Sequence, residues 1–293
     1  MDVGEGLVIR SLAGFFDVAD AGVTRRCRAR GVFRKRGVRV LVGDRVQYQP
    51  VGASEGVITE VLPRTTELVR PPVANVDHAL LVFSVVTPAF QPRLLDRALV
   101  AVSVAGLAAT IVLTKCDLAD PEDVDRAAAP YRAAGYPVLR TAAPLGKGVE
   151  AVRAAIAGRV TVFVGPSGAG KSSLGNALAP ALGLKMGDVS DKIGRGRHTT
   201  RHVELFDLGG NTYVVDAPGF SQLELDLPAR DLRLHFPEFS PWAASCAYRG
   251  CEHAEEAECA VRDAVRRGDV SAERYQSYLE LLRDLREKEA TRF

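Results

Sequence analysis

No run in the 293 residues approaches 18 apolar positions, which excludes a membrane-spanning helix. The opening MDVGEGLVIR lacks a basic stretch followed by an apolar core, so no secretory leader is read. A cytoplasmic protein with no membrane partner is expected. A large net charge is also missing, at only +2. Lysine is scarce, seven residues against 31 arginines. A disulfide framework is missing too. Cys27 and Cys116 stand alone, while Cys246, Cys251 and Cys259 crowd into 14 residues around His253. In a cytosolic chain such crowding favours a metal over cystine. Internal repeats and low-complexity tracts are absent. Wholesale disorder is excluded, because 47% hydrophobic and 25% charged residues form an ordinary globular mix.

What charge there is lies unevenly. Between Val23 and Val46 stand nine basic residues, Arg25, Arg26, Arg28, Arg30, Arg34, Lys35, Arg36, Arg39 and Arg45, with one acid, Asp44. Such a segment in a near-neutral chain reads as a local polyanion-binding surface. The plainer alternative is a solvated face of an arginine-rich protein.

Three regions follow from the patterning. Residues 1–70 hold short β-like runs at Gly6–Ile9, Arg28–Phe33, Val38–Leu41, Arg45–Tyr48 and Glu55–Val61, broken by glycine turns. Five short strands without a helix predict a small barrel or sandwich, and a barrel bearing these arginines reads as an OB-fold that binds nucleic acid. Pro71-Pro72 punctuates the chain, and residues 71–228 alternate strand and helix, the signature of a mostly parallel sheet covered on both faces. Residues 229–293 hold the Cys/His cluster, a helix near Glu255–Arg267 and a last helix opened by Ser271. Tyr275, Tyr278, Leu279, Leu282 and Leu285 mark the buried face of that last helix.

The strongest motif is the run Gly165, Pro166, Ser167, Gly168, Ala169, Gly170, Lys171, Ser172 and Ser173. It fits the P-loop pattern G-x-x-x-x-G-K-[ST] at every fixed position, between an apolar strand and a helix. Glycines let backbone N–H groups turn around phosphate oxygens, and the helix N-terminus adds its positive dipole end. Lys171 would reach the outer phosphates, and the Ser172 hydroxyl would ligate Mg²⁺. Asp216-Ala-Pro-Gly219 follows another strand with the form D-x-x-G; Asp216 would hold Mg²⁺ and the Gly219 N–H would face the γ-phosphate.

Thr114-Lys115-Cys116-Asp117 ends a third apolar strand and resembles the [NT]-K-x-D motif for guanine. A carboxylate at Asp117 accepts from the N1–H and N2–H₂ pair that adenine lacks, so adenine leaves it unpaired. Thr141-Ala142 ends the next strand and resembles the short S-A motif at guanine O6. The base motif here precedes the P-loop by some fifty residues, the reverse of the usual order. A pocket depends on neighbours in space, so a permuted sheet can present the same set at the C-terminal ends of its strands.

That order, with Val42-Gly43-Asp44, Pro63-Arg64, Arg70-Pro71, Ala74-Asn75-Val76-Asp77, Asp96-Arg97, Gly196-Arg197-His198-Thr199-Thr200 and Phe236-Pro237-Glu238-Phe239, closely resembles the ribosome small subunit-dependent GTPase A (RsgA) family over nearly the whole chain. The resemblance implies a fold of class α/β. A circularly permuted P-loop GTPase domain would be flanked by an N-terminal OB-fold β-barrel and a small α-helical zinc domain. It implies GTP and GDP as ligands, the small ribosomal subunit and its rRNA as partners, and subunit-stimulated hydrolysis. A monomer is expected.

Ras-like enzymes place a water-orienting Gln after D-x-x-G, but here Phe220 stands there and cannot act so. The glycine-flanked segment Asp191–His202 occupies the place of the first switch. By resemblance, Thr200 caps Mg²⁺ and γ-phosphate, with Thr199 as the alternative register, and His198 serves catalysis beside Lys171. Potassium-activated relatives carry Asn at the fourth P-loop position, where this chain has Gly168. Cys246, Cys251, His253 and Cys259 give three thiolates and one imidazole, a closed tetrahedral set for one structural Zn²⁺. Competing readings are an RNA-binding scaffold with structural nucleotide and a permuted GTPase of the large subunit.

Overall fold

The computed structural model describes residues 3–31, 33, 37–69, 72–180, 203–216 and 225–291. Five strands come first: β1 (Gly4–Leu12), β2 (Phe15–Asp20), β3 (Val23–Ala29), β4 (Arg45–Val51) and β5 (Glu55–Val61). They pair in the order β1-β2-β3-β5-β4, and β4 returns to β1, closing a barrel. Inward side chains Val8, Val18, Cys27, Val46, Tyr48 and Ile58 fill it. The barrel matches the expectation, but two of its strands do not. Arg28–Phe33 is strand only to Ala29, and Val38–Leu41 joins no ladder. The missed strand is β2, whose burial pattern holds a single fully buried residue, Val18, and so offers little alternation to read. Ala13-Gly14 and Ala21-Gly22 form its two hairpin turns, all four residues at positive φ.

A short hairpin of β6 (Glu67–Val69) and β7 (Pro72–Ala74) leads out of the barrel. Its seat is tight. A Cβ on Gly43 (φ +88°) would lie 2.0 Å from the Ala74 carbonyl oxygen. Arg64 donates to both carboxylate oxygens of the fully buried Asp44, at 2.7 and 2.9 Å.

The central sheet contains β8 (His78–Ser84), β9 (Ala108–Thr114), β10 (Val138–Arg140), β11 (Val160–Val164), β12 (Glu204–Asp207) and β13 (Tyr213–Asp216). Its spatial order is β10-β9-β8-β11-β13-β12, parallel throughout except β12. Every residue of β8 is buried, as a strand covered on both faces requires. Ala79, Leu81 and Phe83 meet one core, with Leu95 and Leu99 of α1 (Pro92–Val104) and Val124 and Tyr131 of α2 (Pro121–Ala133). Leu80 and Val82 meet the other, with Val152 and Ile156 of α3 (Val149–Ile156) and Leu174 and Leu178 of α4 (Lys171–Leu178). Joining the end of β13 to β8 and opening the chain before β11 would restore the usual motif order. Arg10 of β1 pairs with Glu204 of β12, so barrel and sheet form one ladder of eleven strands.

The C-terminal region holds two 3-10 segments, Ala229–His235 and Pro237–Phe239, then α5 (Ser240–Ala243), α6 (Ala260–Arg267) and α7 (Ala272–Ala290). Helix α6 starts later than expected because the Cys259 sulfur caps it, accepting from Arg262 N. Ser271 caps α7 as read. Tyr278, Leu281, Leu282 and Leu285 of α7 pack with Phe236, Phe239 and the outer face of α1 at Val100 and Ala101. Among the described residues no helix is long and apolar enough to cross a membrane.

Candidate functional site

The C-terminal ends of β11, β9 and β10 gather the phosphate and base motifs. Strand β11 delivers the chain to Gly165 at φ +150°, where a Cβ would lie 2.0 Å from the Val82 carbonyl oxygen of β8. Only glycine lets the loop leave the sheet there. Gly168 and Gly170 follow at φ +75° and +93°, and Gly170 is the N-cap of α4. Ala169 is buried, anchoring the loop, while Pro166, Ser167 and Ser173 are at least partly open. Lys171 Nζ donates to the carbonyls of Gly165 (2.8 Å) and Pro166 (2.7 Å), which holds its ammonium against the loop. Ser172 is the second residue of α4.

Strand β9 lies two places from β11, about 10 Å away at ordinary strand spacing. The base motif spans that gap. Buried Thr114 donates to the Ala169 carbonyl and Lys115 Nζ to the Gly168 carbonyl at 2.9 Å, so both brace the phosphate loop from beneath and beside. Lys115 also donates to the Thr87 carbonyl at the end of β8's loop. Asp117 is exposed, free to face a base. Thr141 and Ala142, both buried, adjoin it: Thr141 donates N–H to Leu113 O and accepts from Cys116 N. Gly148, at φ +74° with a Cβ position 2.0 Å from Arg140 O, closes that turn. The bracing role of Thr114 was missed in the sequence because its partner lies 55 residues on, and the tight seat of Gly148 because it depends on how the turn folds back over Arg140.

Asp216 ends β13, the neighbour of β11, so its backbone falls beside the phosphate loop. Gly219, His198, Thr199 and Thr200 lie outside the described residues.

The second constellation is the Cys/His cluster. One donor atom each from Cys246, Cys251, His253 and Cys259 lie within 4.8 Å of one another. His253 Nδ1 is 3.5 Å from Cys246 Sγ and 3.4 Å from Cys259 Sγ, and the two sulfurs are 4.0 Å apart. Ligands around a tetrahedral Zn²⁺ would sit about 3.5–3.8 Å apart, so the set fits with little movement. Burial pushes the Cys251 and Cys259 thiols above their ordinary range and holds His253 neutral, a cost that a cation offsets. Tyr275 Oη donates to His253 O at 2.7 Å, and the Tyr278 hydroxyl to Glu252 O, tying the ligand loop to α7.

Sequence reasoning also missed a buried ionic knot. Arg274 of α7 is 2% exposed and donates to both carboxylate oxygens of Glu238, at 2.7 and 3.0 Å, and to Asp96 of α1. Its guanidinium lies 4.8 Å from the Phe236 ring centre and 5.3 Å from that of Tyr131. An arginine aligned with the leucines of its helix was the available signal.

Known proteins share this arrangement. The model of the RsgA N-terminal domain matches residues 5–58 and that of the RsgA GTPase residues 61–226. A relative from Geobacillus thermodenitrificans, named small ribosomal subunit biogenesis GTPase RsgA, is 46% identical, covering 98% of this chain and 99% of its own. Another of that name from Caldanaerobacter subterraneus is 43% identical over 99% and 98%. YjeQ from Thermotoga maritima superposes with a TM-score of 0.87 at 34% identity, covering 97% of this chain and 99% of that one. YloQ, described as a circularly permuted GTPase, gives 0.82 at 38%, over 98% and 96%. Likeness of this extent reaches barrel, permuted sheet and cysteine region together, and the chain belongs to the RsgA GTPase family.

Proposed function

We propose that this protein hydrolyses GTP in late maturation of the small ribosomal subunit, gripping rRNA and turning over faster on the subunit. The observation that carries the reading is the Lys115–Gly168 contact, which joins a guanine motif to a P-loop that follows it by some fifty residues. Residues 1–70 serve as the RNA-binding barrel, 71–228 as the GTPase domain and 229–293 as the zinc domain. The protein works as a cytoplasmic monomer.

In this reading the loop from Gly165 to Ser173 wraps the phosphates with its N–H groups, and Lys171 swings from its loop carbonyls to the β- and γ-phosphates. Ser172, Thr200 and Asp216 hold Mg²⁺, which when bound neutralises charge building on the phosphate oxygens. Gly219 contacts the γ-phosphate. Thr114, Lys115, Asp117, Thr141 and Ala142 frame guanine, Asp117 accepting its paired donors. Phe220 cannot orient water, and the family resemblance assigns that role to His198.

GTP hydrolysis measured with and without small subunits tests the reading; equal rates would sink the stimulated-turnover claim. His198→Ala is expected to keep GTP affinity within a few-fold while stimulated turnover falls by roughly 10²-fold. Lys171→Ala should damage affinity and turnover together, because its charge is felt in both ground and transition states. A His198→Ala enzyme with wild-type stimulated rate would pass the water-positioning role elsewhere.

Asp117→Asn should move preference from GTP toward xanthosine triphosphate, whose extra carbonyl suits the amide donor. Competition binding with both nucleotides reads this out. Unchanged GTP preference would remove Asp117 as the base reader.

A further inference from the structure

A cavity of about 840 Å³ opens between the barrel and the start of β12, where Val203 forms part of its wall. That volume is within the range of ordinary ligand sites, roughly 300–1,000 Å³. None of the nucleotide or cysteine residues lines it. Two half-buried rings do, Phe16 and Phe33, together with the exposed arginines Arg30 and Arg39. Neither arginine forms an ion pair with an acid among the described residues. The one acid of the basic segment, Asp44, is fully buried and already held by Arg64. The cavity therefore combines apolar ring surface with two uncompensated positive charges.

Along the barrel from this cavity, the outward β2–β3 ladder continues the same chemistry. Arg26 and Arg28 lie 4.5 and 4.6 Å from the ring centre of Phe15, both exposed. An occupant with a flat apolar face and a repeating anion satisfies both features. A base paired within a duplex cannot present its face to a concave wall, whereas an unstacked base can.

We infer that this cavity receives one unstacked base of single-stranded RNA, its flanking phosphates held by Arg30 and Arg39, with the strand running on across Arg26 and Arg28. This rests on the proposal that the partner is rRNA, and it names where an unpaired nucleotide of that RNA lodges.

The test uses the full chain and a fluorescent hexauridylate carrying 5-iodouridine, with a 12-base-pair RNA duplex for comparison. The hexamer binds more tightly than the duplex, and light-induced crosslinks fall on peptides containing Phe16 or Phe33. Phe33→Ser weakens hexamer binding by roughly tenfold, within the ordinary effect of losing one stacking ring. Because Phe33 also touches the barrel core, the double variant Arg30→Glu with Arg39→Glu is the independent arm. It weakens binding and lowers the slope of log affinity against log salt by about 1.4, the share of two phosphate contacts on a single strand. GTP affinity stays unchanged in both variants. Crosslinks confined to other surfaces, or wild-type hexamer affinity in the double variant, overturn the inference. If the wild type binds small subunits but not the hexamer, the cavity assignment falls and the rRNA reading stands; if it binds the hexamer but no subunit, the reading beneath it has failed.

Discussion

Arg274→Ala is expected to lower the free energy of unfolding by about 3–5 kcal/mol, the usual result of removing one partner from a buried ionic cluster. Asp96 and Glu238 are 0% and 7% exposed at their side chains, so neither carboxylate can turn to water for compensation. The guanidinium also fills space against Phe236, Tyr131 and Tyr136, and truncation leaves a void among these rings. Urea unfolding of the full chain measures the loss. Adding Asp96→Ala and Glu238→Gln to Arg274→Leu should return much of it, because the stranded charges are gone. If Arg274→Ala melts like the wild type, the cluster contributes nothing and α7 is held by its leucines alone.

Loss of the metal should cost still more locally. Structural Zn²⁺ contributes about 10–16 kcal/mol of apparent binding energy in small sites, and that energy is folding energy. The loop from Cys246 to Cys259 contains no regular secondary structure; the two tyrosine contacts from α7 and the Glu256 carboxylate, which accepts from the Glu252 and Ala254 N–H groups, tie its middle, and the four ligands are what would gather its two ends. Freshly purified protein should carry one Zn²⁺ per chain by elemental analysis. Cys251→Ser should lose it, together with the near-ultraviolet dichroism of the stacked Phe236, Phe239, Tyr275 and Tyr278 rings. GTP binding should survive, since β8 to β11 and α4 have cores of their own. Metal-free protein with an unchanged aromatic signal would refute the structural role.

What could be read from the sequence divides along the range of the interactions. The phosphate loop is a local device, and the apolar strand and the helix expected on either side of it are Val160–Val164 and Lys171–Leu178. The helix Pro92–Val104 is equally local, its Pro at N1 starting it and its spacing showing the buried face. Barrel strands were harder, because half-buried residues blur alternation: Phe15–Asp20 buries only Val18. Clustered cysteines announced their own chemistry. Contacts that join distant parts left no pattern. Nothing near Thr114 indicates that it bonds Ala169, 55 residues on, and nothing near Arg274 indicates Asp96, 178 residues earlier.

The pairing of β1 with β12 carries a practical consequence. Strand β12 would otherwise be the outer strand of the GTPase sheet, with unpaired backbone groups along one side. Leu7 and Ile9 of β1 also pack against the core of that sheet. Cutting the barrel away would uncover both the polar edge and an apolar strip beside it, the combination that recruits strands from other molecules. An excised GTPase unit with all its motifs intact therefore meets concentration-dependent self-association, and the barrel acts as its solubility cap as well as its neighbour.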